Sequence, residues 1–147
     1  MRTVREVRLI ADGSCIGNPG PGGWACVLRC GNHERMLTGG DKRTTNNRME
    51  LRAVIEGLRA LNEPCRIEVI TDAQYVQRGM LEHLPRWKTN GWQTANHEPV
   101  ANRELWEELD SLASDHKIQW TWVRGHGPDP DQQRCDAAAL EAAQHAS

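Results

Sequence analysis

Four acids in this chain stand where a strand or a helix begins or ends. Asp12 follows the strand-like run Val7-Arg8-Leu9-Ile10-Ala11, and Asp72 follows Ile67-Glu68-Val69-Ile70-Thr71. Glu50 falls in the first turn of an amphipathic stretch, and Asp136 sits early on the last helical segment. Carboxylates gathered from separate elements repel one another, and a divalent cation is the simplest neutraliser. Behind Asp12 runs Gly13-Ser14-Cys15-Ile16-Gly17-Asn18-Pro19-Gly20-Pro21-Gly22-Gly23. Glycines there remove side chains and let a polymer backbone come close. His126, between Gly125 and Gly127 just past the last strand-like run, is a candidate for proton transfer.

Each residue also has a plainer reading. Asp12 can be a surface acid on a glycine-rich hairpin. Asn47 with Glu50 three residues on resembles a capping box, and Asp72 can cap the helix after it. Asp136 can be a solvated helix residue paired with Arg134 or with nothing, and a loop histidine is usually only polar surface. The repetition of acids at element ends favours the joint reading. If the fourth strand lies parallel beside the first, Asp12 and Asp72 emerge together about 4.8 Å apart. Carboxylates without a thiol or imidazole cluster favour Mg2+ or Mn2+ over Zn2+. A pair of such ions about 3.5–4 Å apart suits in-line phosphodiester cleavage.

The elements that must hold these residues can be read from periodicity. Three strands come first, over 4–12, 22–31 and 34–41, with Gly31-Asn32 as a hairpin turn, so they form an antiparallel meander. Leu51, Val54, Ile55, Leu58 and Leu61 recur at helical spacing and predict a helix over about 46–62, stopped by Asn62-Glu63-Pro64. The fourth strand, 67–71, is expected parallel to the first because a helix crosses between them. A helix near 73–82, an irregular tryptophan-bearing segment over 83–101, a helix over about 101–113 and a strand through Ile118, Trp120 and Trp122 follow. Asp129 and Pro130 read as the N-cap and first residue of a last helix. The order βββαβααβα predicts one α/β domain with a mixed five-stranded sheet, its first three strands antiparallel and the rest parallel, with helices on both faces.

Composition bounds the rest. The chain has 147 residues, 38% of them hydrophobic and 26% charged, as in a globular domain with a sizeable core. No apolar run approaches the roughly 20 residues of a membrane span. The opening Met1-Arg2-Thr3-Val4-Arg5-Glu6 has no apolar core and no cleavage site, so the start is read as unprocessed and the protein as a cytoplasmic one. Five cysteines at irregular spacing argue against a disulfide framework. Cys26, Cys30 and His33 could be half a zinc site, but no second ligand pair follows, and zinc ranks far behind. A net charge of −2 is awkward for a nucleic-acid binder, yet Arg35, Lys42, Arg43, Arg48 and Arg52 crowd one stretch, leaving a local basic face open.

Taken together, Asp12-Gly-Ser-Cys15-x-Gly-Asn18-Pro-Gly-Pro-Gly-Gly, Thr44-Thr45-Asn46-Asn47-Arg48-Met-Glu50-Leu, Thr71-Asp72-x-Gln74-Tyr-Val and Trp122-Val-x-Gly-His126 with Arg134-Cys-Asp136 resemble bacterial type 1 ribonuclease H. The match covers nearly the whole chain in order. It implies a ribonuclease H-like fold and endonucleolytic cleavage of the RNA strand of RNA–DNA hybrids, leaving 3′-hydroxyl and 5′-phosphate ends. It assigns Asp12, Glu50, Asp72 and Asp136 as Mg2+ ligands, with Mn2+ a possible substitute, and His126 as the histidine of a mobile loop linked to proton transfer or product release. It implies substrate contacts at Cys15, Asn18, Thr45, Asn46, Asn47, Arg48, Gln74, Trp87 and Trp92, the last two on a substrate-binding protrusion at about 83–101. Packing is the alternative role for those tryptophans. The partner expected is the hybrid and no membrane, and the protein is expected to be a monomer.

Three departures stand out. Ala73 replaces the usual serine after Asp72, Gly127-Pro128-Asp129-Pro130 alters the histidine loop, and the protrusion places Thr89, Asn90 and Gln93 beside Arg86 and Lys88 where basic residues are common. The last predicts weaker hybrid binding. A non-catalytic hybrid-binding module, a DNA-directed nuclease and a reverse-transcriptase-associated domain are the competing readings. The intact four acids speak against the first.

Overall fold

The computed structural model describes residues 4–146. Met1, Arg2 and Thr3 of the start read as unprocessed, and Ser147, lie outside the described residues. Strands β1 (Arg5–Cys15), β2 (Gly20–Cys30) and β3 (His33–Thr44) form the antiparallel meander, turned at Gly31-Asn32. Helix α1 (Asn46–Arg59) crosses over to β4 (Cys65–Thr71), which pairs parallel with β1, and β5 (Lys117–Trp122) pairs parallel with β4. The sheet order is β3-β2-β1-β4-β5, the mixed architecture that the sequence predicts.

Alternation along β1 builds two cores. Val7, Leu9 and Ala11 pack beneath α1 with Leu51, Ile55, Leu58, Ile67 and Val69. Ile10 faces the other way, with Ala25, Val27, Ile70, Cys135 and Ala139 under α5 (Pro130–Ala146). Burying these side chains is the main stabilising contribution, about 1.5–3 kcal/mol for each large aliphatic one. Among the described residues, no helix is long and apolar enough to cross a membrane.

Several boundaries differ from the sequence reading by two or three residues, β2 starting at Gly20 and β3 running on to Thr44 among them, and two differences bear on the site. Strand β1 runs three residues past Asp12, because Gly13, Ser14 and Cys15 keep pairing with Trp24, Gly23 and Gly22 of β2. The segment from residue 83 is not irregular at its start: α2 (Gln74–Arg78) passes through a wider π-helical turn, Gly79–His83, into α3 (Leu84–Asn90). Pro85 does not break it, since the first turn of a helix has no use for the missing N–H. Trp87 and Trp92 close the segment over Trp106 of α4 (Arg103–Ala113), with Trp87 5.4 Å from Trp106 and 5.9 Å from Trp92 between ring centroids.

Helix α5 is nailed to the sheet by charge. Asp129 caps it, its Oδ1 accepting from the Asp131 amide at 3.1 Å. Asp131 is 5% exposed and takes both Nε and Nη2 of Arg29 on β2, the Nη2 bond at 2.8 Å. Arg134 bridges Asp131 to Glu34 of β3, so it is not the partner of Asp136. The hydrogen bonds from Arg29 hold the Asp131 carboxyl below its usual range. A carboxyl lowered on folding stabilises fully above its unfolded value and loses that contribution as pH falls through the folded value. Asp131→Asn is therefore expected to cost about 1–2 kcal/mol at pH 7, with the deficit closing below about pH 4. Urea titrations of both proteins at pH 7 and pH 3 check this, and an equal deficit at both would refute the ionic origin.

Candidate active site

Parallel pairing of β1 with β4 ends at Ala11 opposite Thr71, so Asp12 and Asp72 leave adjacent strands at the same level. Asp12 thus stands where the β1–β4 ladder stops rather than at the end of β1, since it still pairs with Ala25 of β2. The next residue brings in the third acid. Gly13 lies so close to α1 that a Cβ there would fall 2.5 Å from the Glu50 amide nitrogen. Only glycine lets the first turn of α1 sit on the strand.

The plainer roles do not survive for Glu50 and Asp72. The cap of α1 is Thr45, whose hydroxyl accepts from the Arg48 amide at 3.3 Å, so neither Asn47 nor Glu50 is needed there. Helix α2 has no side-chain cap. The Asp72 carbonyl instead accepts from Trp122 Nε1 at 3.0 Å, and Thr71 Oγ1 takes the Ala73 amide. Glu50 is 5% exposed, and its Oε2 is buried without a hydrogen-bond partner.

Carboxylate oxygens of Asp12, Glu50 and Asp72 all lie within 4.8 Å of one another. Burial first, then the negative charges of Asp72 and Asp136, push Asp12 up to about 8. Burial followed by Asp12 and Asp72 holds Glu50 well above the carboxylate range. Burial and the charge of Asp136 raise Asp72. Crowded hard oxygen ligands, one of them buried and unpaired, fit a divalent cation and do not fit an empty polar core.

Asp136 stands outside that group of three. Its half-exposed carboxylate flanks it on α5 and lies 3.8 Å from His126 Nδ1, too far for a hydrogen bond. His126 is 89% exposed in its side chain and has a φ of 61°. Asp72, His126, Gly127, Gln132, Gln133 and Asp136 line a cavity of about 190 Å3. A larger cavity of about 720 Å3 opens at the opposite ends of the strands, where Arg8 and Arg29 are paired with Glu68 and Asp131.

The other candidates divide. Asn18 accepts from the Asn46 amide at 3.0 Å, which ties the glycine-rich loop to the start of α1, where Asn46 and Asn47 are exposed. Cys15 Sγ lies against the carbonyls of Gly20 and Thr44 at 3.5 and 3.4 Å. Gln74 is exposed two residues after Asp72. Arg48 is drawn aside by Asn102, 3.1 Å from its Nη1, and by Glu104. Trp87 is 9% exposed between Trp92, Trp106 and His83, so it packs the segment and presents no ring face to a polymer. Trp92 stays partly exposed, with the Arg103 guanidinium 5.2 Å from its ring centroid. Lys88 is held by Asp110 at 3.1 Å, so the segment's lysine is already neutralised. Sequence reasoning passes over Gln132 and Gln133, which carry no motif, and takes Trp122 only as part of the fifth strand and of the block that leads to His126. Only their contacts reveal them.

A family model for RNase H matches residues 5–144. A ribonuclease H of Bordetella pertussis is 55% identical over 142 residues, spanning 95% of this chain and 92% of that protein. Among solved structures, LC9-RNase H1, a type 1 RNase H with the type 2 active-site motif, superposes with a TM-score of 0.89 at 29% identity, over all of this chain and 76% of its own. LC11-RNase H1, solved with an RNA/DNA hybrid, shares the fold with a TM-score of 0.73 at 20% identity, over 95% of this chain and 98% of its own.

The acid cluster makes a stability prediction without reference to turnover. An acid raised on folding binds its proton more tightly in the folded state, so stability falls as pH rises between the unfolded and folded values. For Asp12 that window runs from the usual 3.8 to about 8. In chelator, Asp12→Asn should stabilise the protein by at least about 1 kcal/mol at pH 7 and by little at pH 4. Thermal melts across that range in EDTA test it, and a variant destabilised at pH 7 would show that the acids do not repel.

Proposed function

The chain belongs to the ribonuclease H family of endoribonucleases, and on that premise we propose that it hydrolyses the RNA strand of RNA–DNA hybrids with a pair of Mg2+ ions, Mn2+ serving in their place. The observation that carries this reading is the convergence of Asp12, Glu50 and Asp72, with a buried, unpaired Glu50 oxygen at its centre. These three residues would hold the cations, and Asp136 would complete the set from the rim. When bound, the ions neutralise the carboxylates, activate the attacking water and stabilise the leaving oxygen.

The chain's own groups supply the rest. His126 turns Nδ1 toward Asp136, which leaves Nε2 to hand a proton to the departing 3′-oxygen, so the products carry 3′-hydroxyl and 5′-phosphate ends. Asn18, Asn46, Asn47 and Gln74 offer amides at the height of the acids, a chemistry that suits minor-groove edges and the 2′-hydroxyls that distinguish RNA from DNA. Cys15 and Thr45 stand where the glycine-rich loop meets the start of α1, beside Asn18, Asn46 and Asn47, and Arg48 is held near the same rim by Glu104. Trp92 and the exposed face of residues 83–101 serve as the substrate protrusion, on one domain acting as a cytoplasmic monomer.

Cleavage of a labelled hybrid beside RNA–RNA and DNA–DNA duplexes, with and without Mg2+, tests the reading. Hybrid-only, metal-dependent cutting is expected, and Asp12→Asn should abolish it while binding persists. Binding without cutting by the parent protein would instead identify a hybrid-binding module.

The protrusion generates a second prediction. Asn90 cannot be recruited as a phosphate contact, because its side chain clamps the turn by bonding both the amide and the carbonyl of Gln93 at 3.0 Å. Thr89 and Gln93 are both exposed on either side of that clamp. Thr89→Lys with Gln93→Lys should tighten hybrid binding at low salt and steepen the log K against log[salt] slope by about one to two units. An unchanged slope would remove this face from the substrate interface.

A further inference from the structure

We propose that Gln132 and Gln133 are positioning residues for His126, latching the loop between β5 and α5 so that the imidazole is held at the rim of the carboxylates. This rests on the proton-handling reading of His126 given above.

The loop, residues 123–129, is held on both sides of His126 by side-chain amides from the first turns of α5. Gln132 Nε2 donates to the Arg124 carbonyl at 3.3 Å, and Gln133 Nε2 donates to the Gly127 carbonyl at 3.1 Å. Consecutive helical residues point about 100° apart, so two neighbours reaching the same loop on either side of one residue form a clasp. Gln132 is 7% exposed, and burying an amide of that size is unfavourable unless its hydrogen bonds are made.

Two features show that the loop needs holding. His126 has a φ of 61°, in the left-handed region where a side-chain-bearing residue is disfavoured and persists only when its surroundings enforce it. Gly125 presses against the site itself, since a Cβ there would come 2.9 Å from Asp72 Oδ2. The loop therefore packs its backbone directly against the Asp72 carboxylate, and the strained histidine is what the two amides flank. Their base is firm, because Asp131, the residue before Gln132, is locked by Arg29 and Arg134. Being uncharged, the glutamines hold the loop without adding to the crowded negative charge beside them.

The test is a mutant cycle on hybrid cleavage at saturating Mg2+. Gln132→Met and Gln133→Met remove the donors at nearly constant length and without charge. The double variant should lose about three- to tenfold in kcat, the worth of one or two net hydrogen bonds, with KM changed by less than about twofold. In a His126→Ala background the same two substitutions should cost nothing further, because their effect passes through the imidazole. Gln133 is exposed, so Gln133→Met alone gives the same readout should the buried Gln132 substitution unfold the chain. Losses that multiply in the His126→Ala background, or full kcat in the glutamine variants, overturn the clasp while leaving the role of His126 intact. Full kcat in His126→Ala itself overturns the proton-handling reading and the clasp with it.

Discussion

Mutual repulsion among buried carboxylates is the constraint around which the rest of this structure is arranged. Asp12, Glu50 and Asp72 are forced together by three backbone events: the end of the β1–β4 ladder, the absence of a side chain at Gly13, and the docking of α1 on β1. Among the described residues no arginine or lysine forms an ion pair with any of the three acids, and Glu50 keeps an oxygen buried and unpaired. Such an arrangement stores unfavourable electrostatic energy in the metal-free fold, which the two hydrophobic cores must offset. It makes sense only where a ligand of opposite charge takes up the strain.

The scaffold has to resist that repulsion, and it does so with polar anchors placed on the far side of each functional element. Helix α5 is tied through Asp131 to Arg29 and through Arg134 to Glu34, which fixes the helix carrying Asp136. The start of α1 is tied through Arg48 to Asn102, whose amide donates to the Tyr75 hydroxyl at 3.0 Å. Trp106 donates to the same hydroxyl at 3.2 Å, so α1, α2 and α4 share one partly buried junction. Each anchor spends a charge or a donor that the sequence might have suggested was free for substrate. Arg48 and Lys88 are the clearest cases, since both basic groups already face acids.

The segment around residues 79–100 shows how one residue type can serve two ends. Its tryptophans are the feature most readily taken for a binding surface. Trp87 lies inside, where its ring joins the core that Trp106 organises, and only Trp92 keeps part of its surface open. Aromatic rings are large apolar bodies, and whether one packs or binds depends on which side of a helix meets the next element. With Lys88 neutralised and Asn90 engaged in its own turn, this face is less basic than a count of its residues suggests.

By itself, the sequence determined the sheet and the crossover. Period-two alternation in β1 and β2 and period-3.6 spacing from Leu51 to Leu58 are local signals, written in side chains that point alternately or recur on one face. A helix between two strands leaves parallel pairing as the natural outcome, so Asp12 and Asp72 at one end of neighbouring strands were legible too. Only the tertiary structure decided how each polar side chain is partnered. Thr45 rather than Asn47 caps α1, Arg134 serves Asp131 and Glu34 rather than Asp136, and Gln132 and Gln133 turn toward a loop whose approach to Asp72 depends on Gly125. These pairings join residues such as Arg48 and Asn102 or Arg29 and Asp131, far apart in the chain and without any fixed spacing. Hydrogen bonds and ion pairs act over a few ångströms, so their partners are settled only once packing has brought distant segments together.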